Sequence, residues 1–221
     1  MRTYYNRIAG QNLERLAALS DGIFAVAMTL LVLGLGVHAS ATLQPEQPLW
    51  ANGALQNEKA VWTVLVGLGP SLLTYFMSFL TLGIFWIGQQ TQLNHFAQSD
   101  RNLTWIHLAF LLAVTLMPFS TALLTAFITS RLALVVYWLD LLLLGVMLFA
   151  SLQYAQRSKL IKEEMTAEVF SAHLRRIVIW QALYALAVSL CVINTYVSIV
   201  LLILAQLNSA IAPRISPLYR I

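Results

Sequence analysis

Long apolar runs separated by short polar connections set the character of this chain. The runs occupy about residues 16–37, 62–87, 103–128, 131–152 and 177–212. A helix that crosses a hydrocarbon core of about 30 Å needs roughly 20 residues, so each of the first four runs predicts one crossing. The fifth is too long for one helix, and Asn194-Thr195-Tyr196 interrupts it. It is read as two short helices, 177–193 and 196–212, joined by a tight turn. The runs are continuously apolar, without the period-two alternation of a barrel strand, which favours helices. The pattern therefore predicts an all-α integral membrane bundle of six transmembrane helices, forming a single domain over residues 1–221.

Two connections are longer than a turn. Residues 38–61 carry Pro45, Pro48, Trp50, Asn52 and Gly53 and suit a partly ordered cap. Residues 153–176 carry Lys162, Glu163, Glu164 and Glu168 and read as an amphipathic helix or a helix extension. The first apolar run is too long for the core of a cleavable signal peptide and reads as a retained span.

Charge placement orients the bundle. With the N-terminus inside, one side receives Arg2, Arg7, Arg15, Arg101, Arg157, Lys159, Lys162, Arg175, Arg176, Arg214 and Arg220, and the other receives only Lys59 and Arg131. Lys and Arg concentrate in cytoplasmic loops, so both termini are expected in the cytoplasm and the chain in the cell membrane as a multi-pass protein. Composition agrees: 59% of residues are apolar and 10% charged, against about 45–50% and 25% in soluble domains. The net charge of +4 does not form a basic stripe interleaved with aromatics, so nucleic acid is not an expected partner. The one cysteine, Cys191, excludes an intrachain disulfide and suggests no cysteine metal site.

Enzyme signatures are absent: no H-E-x-x-H, C-x-x-C, G-x-S-x-G or P-loop pattern occurs. Neither a cofactor nor a metal is expected. His38, His95, His107 and His173 are scattered, and only His107 falls within a predicted span. Ionisable groups inside a membrane are costly and therefore informative. Asp140 lies in the middle of the fourth span, beside Tyr137 and Trp138, and Asp21 lies near the start of the first. A proton-coupled transporter needs such a carboxylate, and an interhelical hydrogen bond needs it equally.

The first span has a distinct face. At 3.6 residues per turn, Leu19, Gly22, Ile23, Val26, Thr29, Leu30, Leu33 and Val37 form one stripe, apolar with a single hydroxyl. Asp21 lies more than about 100° from its centre, so if the stripe lines a pore, Asp21 points back into the protein. Arg15 and Asp21 are not spaced to meet on one helix, and their partners are expected on others. A hydrophobic constriction gates by dewetting, and hydroxyls partly replace a hydration shell. Periodicity alone, however, describes an ordinary packing face as well.

More specific is the run Arg15-x-x-x-Leu19-Ser20-Asp21-Gly22 followed by Ile-Phe-Ala-Val-Ala-Met-Thr-Leu-Leu-Val-Leu. It resembles the R-x-x-x-F-S-D signature of the endolysosomal potassium channel family (transmembrane protein 175) and its prokaryotic relatives. Phe79-x5-Phe85-Trp86-Ile87 is similar to the family's F-W segment, and Leu116-Met117-Pro118-Phe119 to its P-F segment. Leu19 stands where the signature has Phe, Gly88-Gln89-Gln90 where many members have His, and His107 where an Asn is common.

The resemblance implies a potassium-preferring cation channel. A six-helix repeat of this family is similar to one subunit of a tetramer, with the first helix of each repeat around the pore and no T-V-G-Y-G filter. By the same resemblance Val26, Thr29, Leu30 and Leu33 line the path, with the constriction at Val26 and the selectivity threonine at Thr29, and Ile23 of the stripe is expected beside them. Arg15, Ser20, Asp21 and His107 form the signature network that holds the pore helix. Potassium is then the permeant ion and a lipid bilayer and three further copies are the partners. The competing expectation is a proton-coupled secondary transporter using Asp140 or His107.

Overall fold

The computed structural model describes residues 12–36, 48, 50 and 55–211, without the side chains of residues 56 and 57. Val37, His38, most of the first external loop, and the terminal arginines Arg2, Arg7, Arg214 and Arg220 lie outside the described residues.

Helices follow in order: α1 (Leu13–Leu33), α2 (Gln56–Gly67), α3 (Gly69–His95), α4 (Arg101–Ala126), α5 (Arg131–Arg157), α6 (Ala167–Ser189), a 3-10 turn (Leu190–Val192) and α7 (Thr195–Ala210). Among the described residues there is no β-strand, and the sole β feature is one antiparallel bridge between Phe96 and Ile161. Five helices among the described residues are long and apolar enough to cross a membrane: α1, α3, α4, α5, and α6 taken with its 3-10 turn. At 16 residues, α7 rises only about 24 Å.

The second run departs from its predicted limits. The chain breaks at Leu68, between Gly67 and Gly69, and α3 restarts with Pro70 in its first turn, where the missing N–H costs nothing. The crossing is therefore residues 69–95 rather than 62–87. Its polar end continues as helix because Gln89, Gln92 and Leu93 turn inward at helical spacing and are buried. Of its two readings, the 153–176 segment takes that of a helix extension rather than a separate helix: α5 runs on to Arg157, and α6 begins ten residues ahead of its expected start, at Ala167, capped by the Thr166 hydroxyl accepting from Val169 N–H. The break at Asn194 stands as predicted, with its side chain accepting from Tyr196 N–H at 2.8 Å.

α5 ends in a Schellman motif. Leu160 N–H donates to Ala155 O at 2.9 Å and Lys159 N–H to Gln156 O at 3.1 Å, with Lys159 at φ 56°. Ala97 N–H to Leu160 O (2.8 Å) and Lys162 N–H to His95 O (3.0 Å) join this turn to the α3–α4 connection. Asp100 caps α4 by accepting from Leu103 N–H at 2.9 Å and also accepts from Tyr154 Oη at 2.7 Å. This is the basic end of the bundle, holding Arg15, Arg101, Arg157, Lys159 and Lys162. A smaller apolar cluster there, including Leu16, Phe96, Leu152, Leu160 and Phe170, closes the end. At the other end Arg131 donates to Val192 O at 3.1 Å and Thr195 to Thr129 O at 3.2 Å, joining the two turns.

The main core runs between α1 and α3–α7, around Met77, Leu82, Phe110, Met117, Tyr137, Leu141 and Leu202. Among the described residues, α1 packs mainly on α3 and α4, which places it at the flank of the bundle.

Candidate functional site

α1 begins where Asn12 accepts from Arg15 N–H at 2.9 Å, a cap that satisfies a first-turn donor. It buries one seam: Leu16, Ser20, Phe24, Ala27 and Leu31, four or three residues apart, as a helix lying on two neighbours requires. Phe24 meets Phe110 of α4 with ring centroids 5.9 Å apart. The predicted stripe lies off this seam. Leu19, Val26, Leu30 and Leu33 are exposed, Val26 by 58% and Leu33 by 74%, as are Gly22 and Thr29, while Ile23 is half-buried against the edge of the core. Thr29 donates to Val26 O at 2.8 Å. A groove of about 400 Å³ follows Leu19, Gly22, Ile23, Val26 and Leu30 and is walled on its far side by Thr115 of α4. A Cβ added at Gly22 would meet nothing within 4 Å. Within one copy, the apolar face of α1 therefore has no covering.

Two polar clusters fix α1 to α3, rather than the single network expected. The first is buried. Ser20, 0% exposed, donates to Leu16 O at 2.8 Å and accepts from Gln89 Nε2 at 2.9 Å. The same amide nitrogen lies 3.4 Å from His107 Nδ1, so α1, α3 and α4 meet at one glutamine. The second lies at the surface: Asp21 accepts from Trp86 Nε1 at 2.8 Å and from Gln90 Nε2 at 2.7 Å. Asp21 is exposed; it reaches sideways to α3 instead of pointing into the core. Arg15 is exposed and joins neither cluster. Gln89, Gln90 and Trp86 are thus the direct partners. Their signal in the sequence was a pair of adjacent amides inside a helix, where polar side chains require partners.

A third polar group lies deeper, among α3, α4, α5 and α7. Thr121 donates to Ser78 at 2.6 Å, Ser78 to Tyr137 Oη at 3.4 Å, and Thr81 lies 3.0 Å from the same phenol while accepting from Gln206 Nε2 at 2.7 Å. Asp140, buried one turn on from Tyr137, accepts from Ser120 of α4 at 2.9 Å. Its other oxygen is buried without a partner among the described residues. No three His, Cys, Asp or Glu side chains gather into a metal-binding group among the described residues.

The family model described as endosomal/lysosomal potassium channel TMEM175 matches residues 15–118, the stretch from Arg15 of α1 to Pro118 of α4. A protein named as a potassium channel from Streptomyces collinus is 31% identical over 127 residues, covering 56% of this chain and 54% of its own. A second so named, from Chamaesiphon minutus, is 31% identical over 126 residues, covering 56% of each chain. The matched region thus spans about half the length of these curated relatives. Among solved structures, a lysosomal potassium-selective channel TMEM175 homolog from Chamaesiphon minutus superposes with a TM-score of 0.71, at 23% identity, over 90% of this chain and 96% of that one. That superposition establishes a shared fold.

Proposed function

We propose, from the premise that this multi-pass membrane chain is a homologue of the TMEM175 potassium channel family, that it forms a passive, potassium-preferring cation channel of the cell membrane. Four copies surround a central path, each contributing α1, and the basic end faces the cytoplasm. On this reading α7 completes six crossings. Ile23, Val26, Thr29, Leu30 and Leu33 line the path, Val26 and Leu30 forming the hydrophobic constriction.

The observation that carries this reading is the uncovered apolar stripe of a helix whose opposite seam is fixed. One helix cannot enclose an ion, and a stripe with a single hydroxyl suits a narrow path that dewets when closed. Thr29 spends its proton on the Val26 carbonyl, so its oxygen keeps lone pairs for a cation. Four such oxygens and an apolar bottleneck discriminate less sharply than rings of backbone carbonyls, and modest selectivity is expected. Ser20, Asp21 and His107 act as supports that set the position of α1, with Arg15 the signature residue left for contacts beyond one copy.

Potassium flux into liposomes reconstituted with the purified protein tests the reading, alongside sodium and the double variant Thr29→Val, Leu30→Ala. Potassium-favouring flux down its gradient, altered by the variant, supports the channel. The unpartnered oxygen of Asp140 favours one competitor, a proton-coupled transporter. Uptake only under an imposed proton gradient, abolished by Asp140→Asn, would replace the channel with that alternative.

A further inference from the structure

We propose that a cavity of about 140 Å³, enclosed by α3, α5, α6 and α7 and reached from the basic end, binds an anionic phospholipid: its phosphate at Arg176 and Ser209, the start of an acyl chain against Phe85, Ile177 and Trp180. The inference needs the chain to lie in a bilayer and does not need it to conduct ions.

Three polar groups in the wall are already committed to the protein, among them His173, whose Nδ1 lies 3.0 Å from Val169 O. Gln92 donates to Leu148 O at 3.2 Å and accepts from Ser151 at 2.8 Å, and Thr91 donates to Ile87 O at 2.7 Å. Capacity for a ligand remains at Arg176, which makes no ion pair among the described residues, and at the Ser209 hydroxyl, both on the lining. A guanidinium with no carboxylate in the lining seeks an anion, and its planar fork matches a phosphate. The remaining wall is aliphatic and aromatic, which excludes a freely hydrated ion as the sole occupant and suits a chain attached to the phosphate. Ile87 and Arg176 on the rim are exposed, so the cavity opens at the bundle surface. Basic pockets between transmembrane helices on the cytoplasmic side take anionic headgroups for these reasons.

Gly88 provides a steric control. A Cβ there would lie 3.7 Å from Leu148 Cδ1, an ordinary contact, so a larger side chain grows into the cavity without disturbing the helix seam.

Trp180 in the lining is the reporter. The full-length protein is reconstituted in vesicles of phosphatidylcholine and phosphatidylglycerol with bromine on one lipid or the other, and Trp180→Phe isolates the Trp180 quenching. Brominated phosphatidylglycerol should quench about fivefold more effectively than brominated phosphatidylcholine at equal mole fraction, the scale set by one basic residue at a membrane surface. Arg176→Gln should bring the two to parity, Arg176→Lys should keep most of the preference, and Gly88→Leu should reduce quenching by both. Equal quenching by the two lipids, or a preference unchanged in Arg176→Gln, would overturn the proposal. Relief of quenching by millimolar inorganic phosphate would overturn the lipid source and assign the site to a free anion.

Discussion

Gln89 docks α1 from inside the bundle, whereas the charged residues of the signature, Arg15 and Asp21, are exposed. Its one amide nitrogen links Ser20 on α1 to His107 on α4, and all three groups are fully buried. Ser20→Ala leaves that donor with only a long contact to His107, and a buried donor without a good acceptor costs about 1–3 kcal/mol. Thermal unfolding in detergent should register that loss. Asp21 differs because it is exposed and water can replace its partners. Asp21→Ala releases Trp86 and Gln90 together, so the angle of α1 should loosen and the yield of assembled oligomer should fall more than selectivity changes. Size-exclusion profiles read beside flux ratios decide this; normal assembly with selectivity lost would refute the supporting role. Periodicity reports which residues share a face, and six positions of the α1 stripe are exposed, although Asp21, Ala25 and Val32 outside it are exposed as well. The partners were not legible, because neutral amides at adjacent positions do not indicate which neighbouring helix each will meet.

At the level of helices, the break at Asn194 was legible because its side chain caps the next helix, whereas Gly67-Leu68-Gly69-Pro70 was read as the interior of one span although it ends α2 and restarts α3. The ends of α3 and α6 were misread because each continues through polar sequence with one buried edge, at Gln89, Gln92 and Leu93 and at Phe170. Hydropathy averages over such edges. Two substitutions test how the elements are held. A methyl at Gly145 of α5 would overlap three side-chain atoms of Gln181 of α6, whose amide donates to Leu141 O at 3.1 Å. Gly145→Ala should therefore destabilise the bundle by about 1–3 kcal/mol, as overpacking does. Lys159→Gly should act oppositely. The residue sits in the left-handed region, where a side chain costs roughly 1–2 kcal/mol, and part of that should return as a higher melting temperature.

For the molecule as a whole, the uncovered stripe of α1 predicts contact between copies. With the buried Cys191 replaced by serine, a cysteine at exposed Val26 should form disulfide-linked pairs under mild oxidation. A cysteine at Val146, exposed on α5 away from that stripe, should not. Equal crosslinking at both positions would remove α1 from the centre of the assembly. One dimension of the bundle bears on the membrane around it. α7 rises only about 24 Å against a hydrocarbon thickness of about 30 Å, and it is pinned to the rest of the bundle through Thr195 and Gln206. A helix held in this way cannot lengthen its apolar reach by moving. On a six-crossing path, the adjoining lipids must shorten to meet it, giving the protein one thin flank. Hydrophobic mismatch of this kind sorts proteins among membranes, and shorter acyl chains should raise the stability of this one.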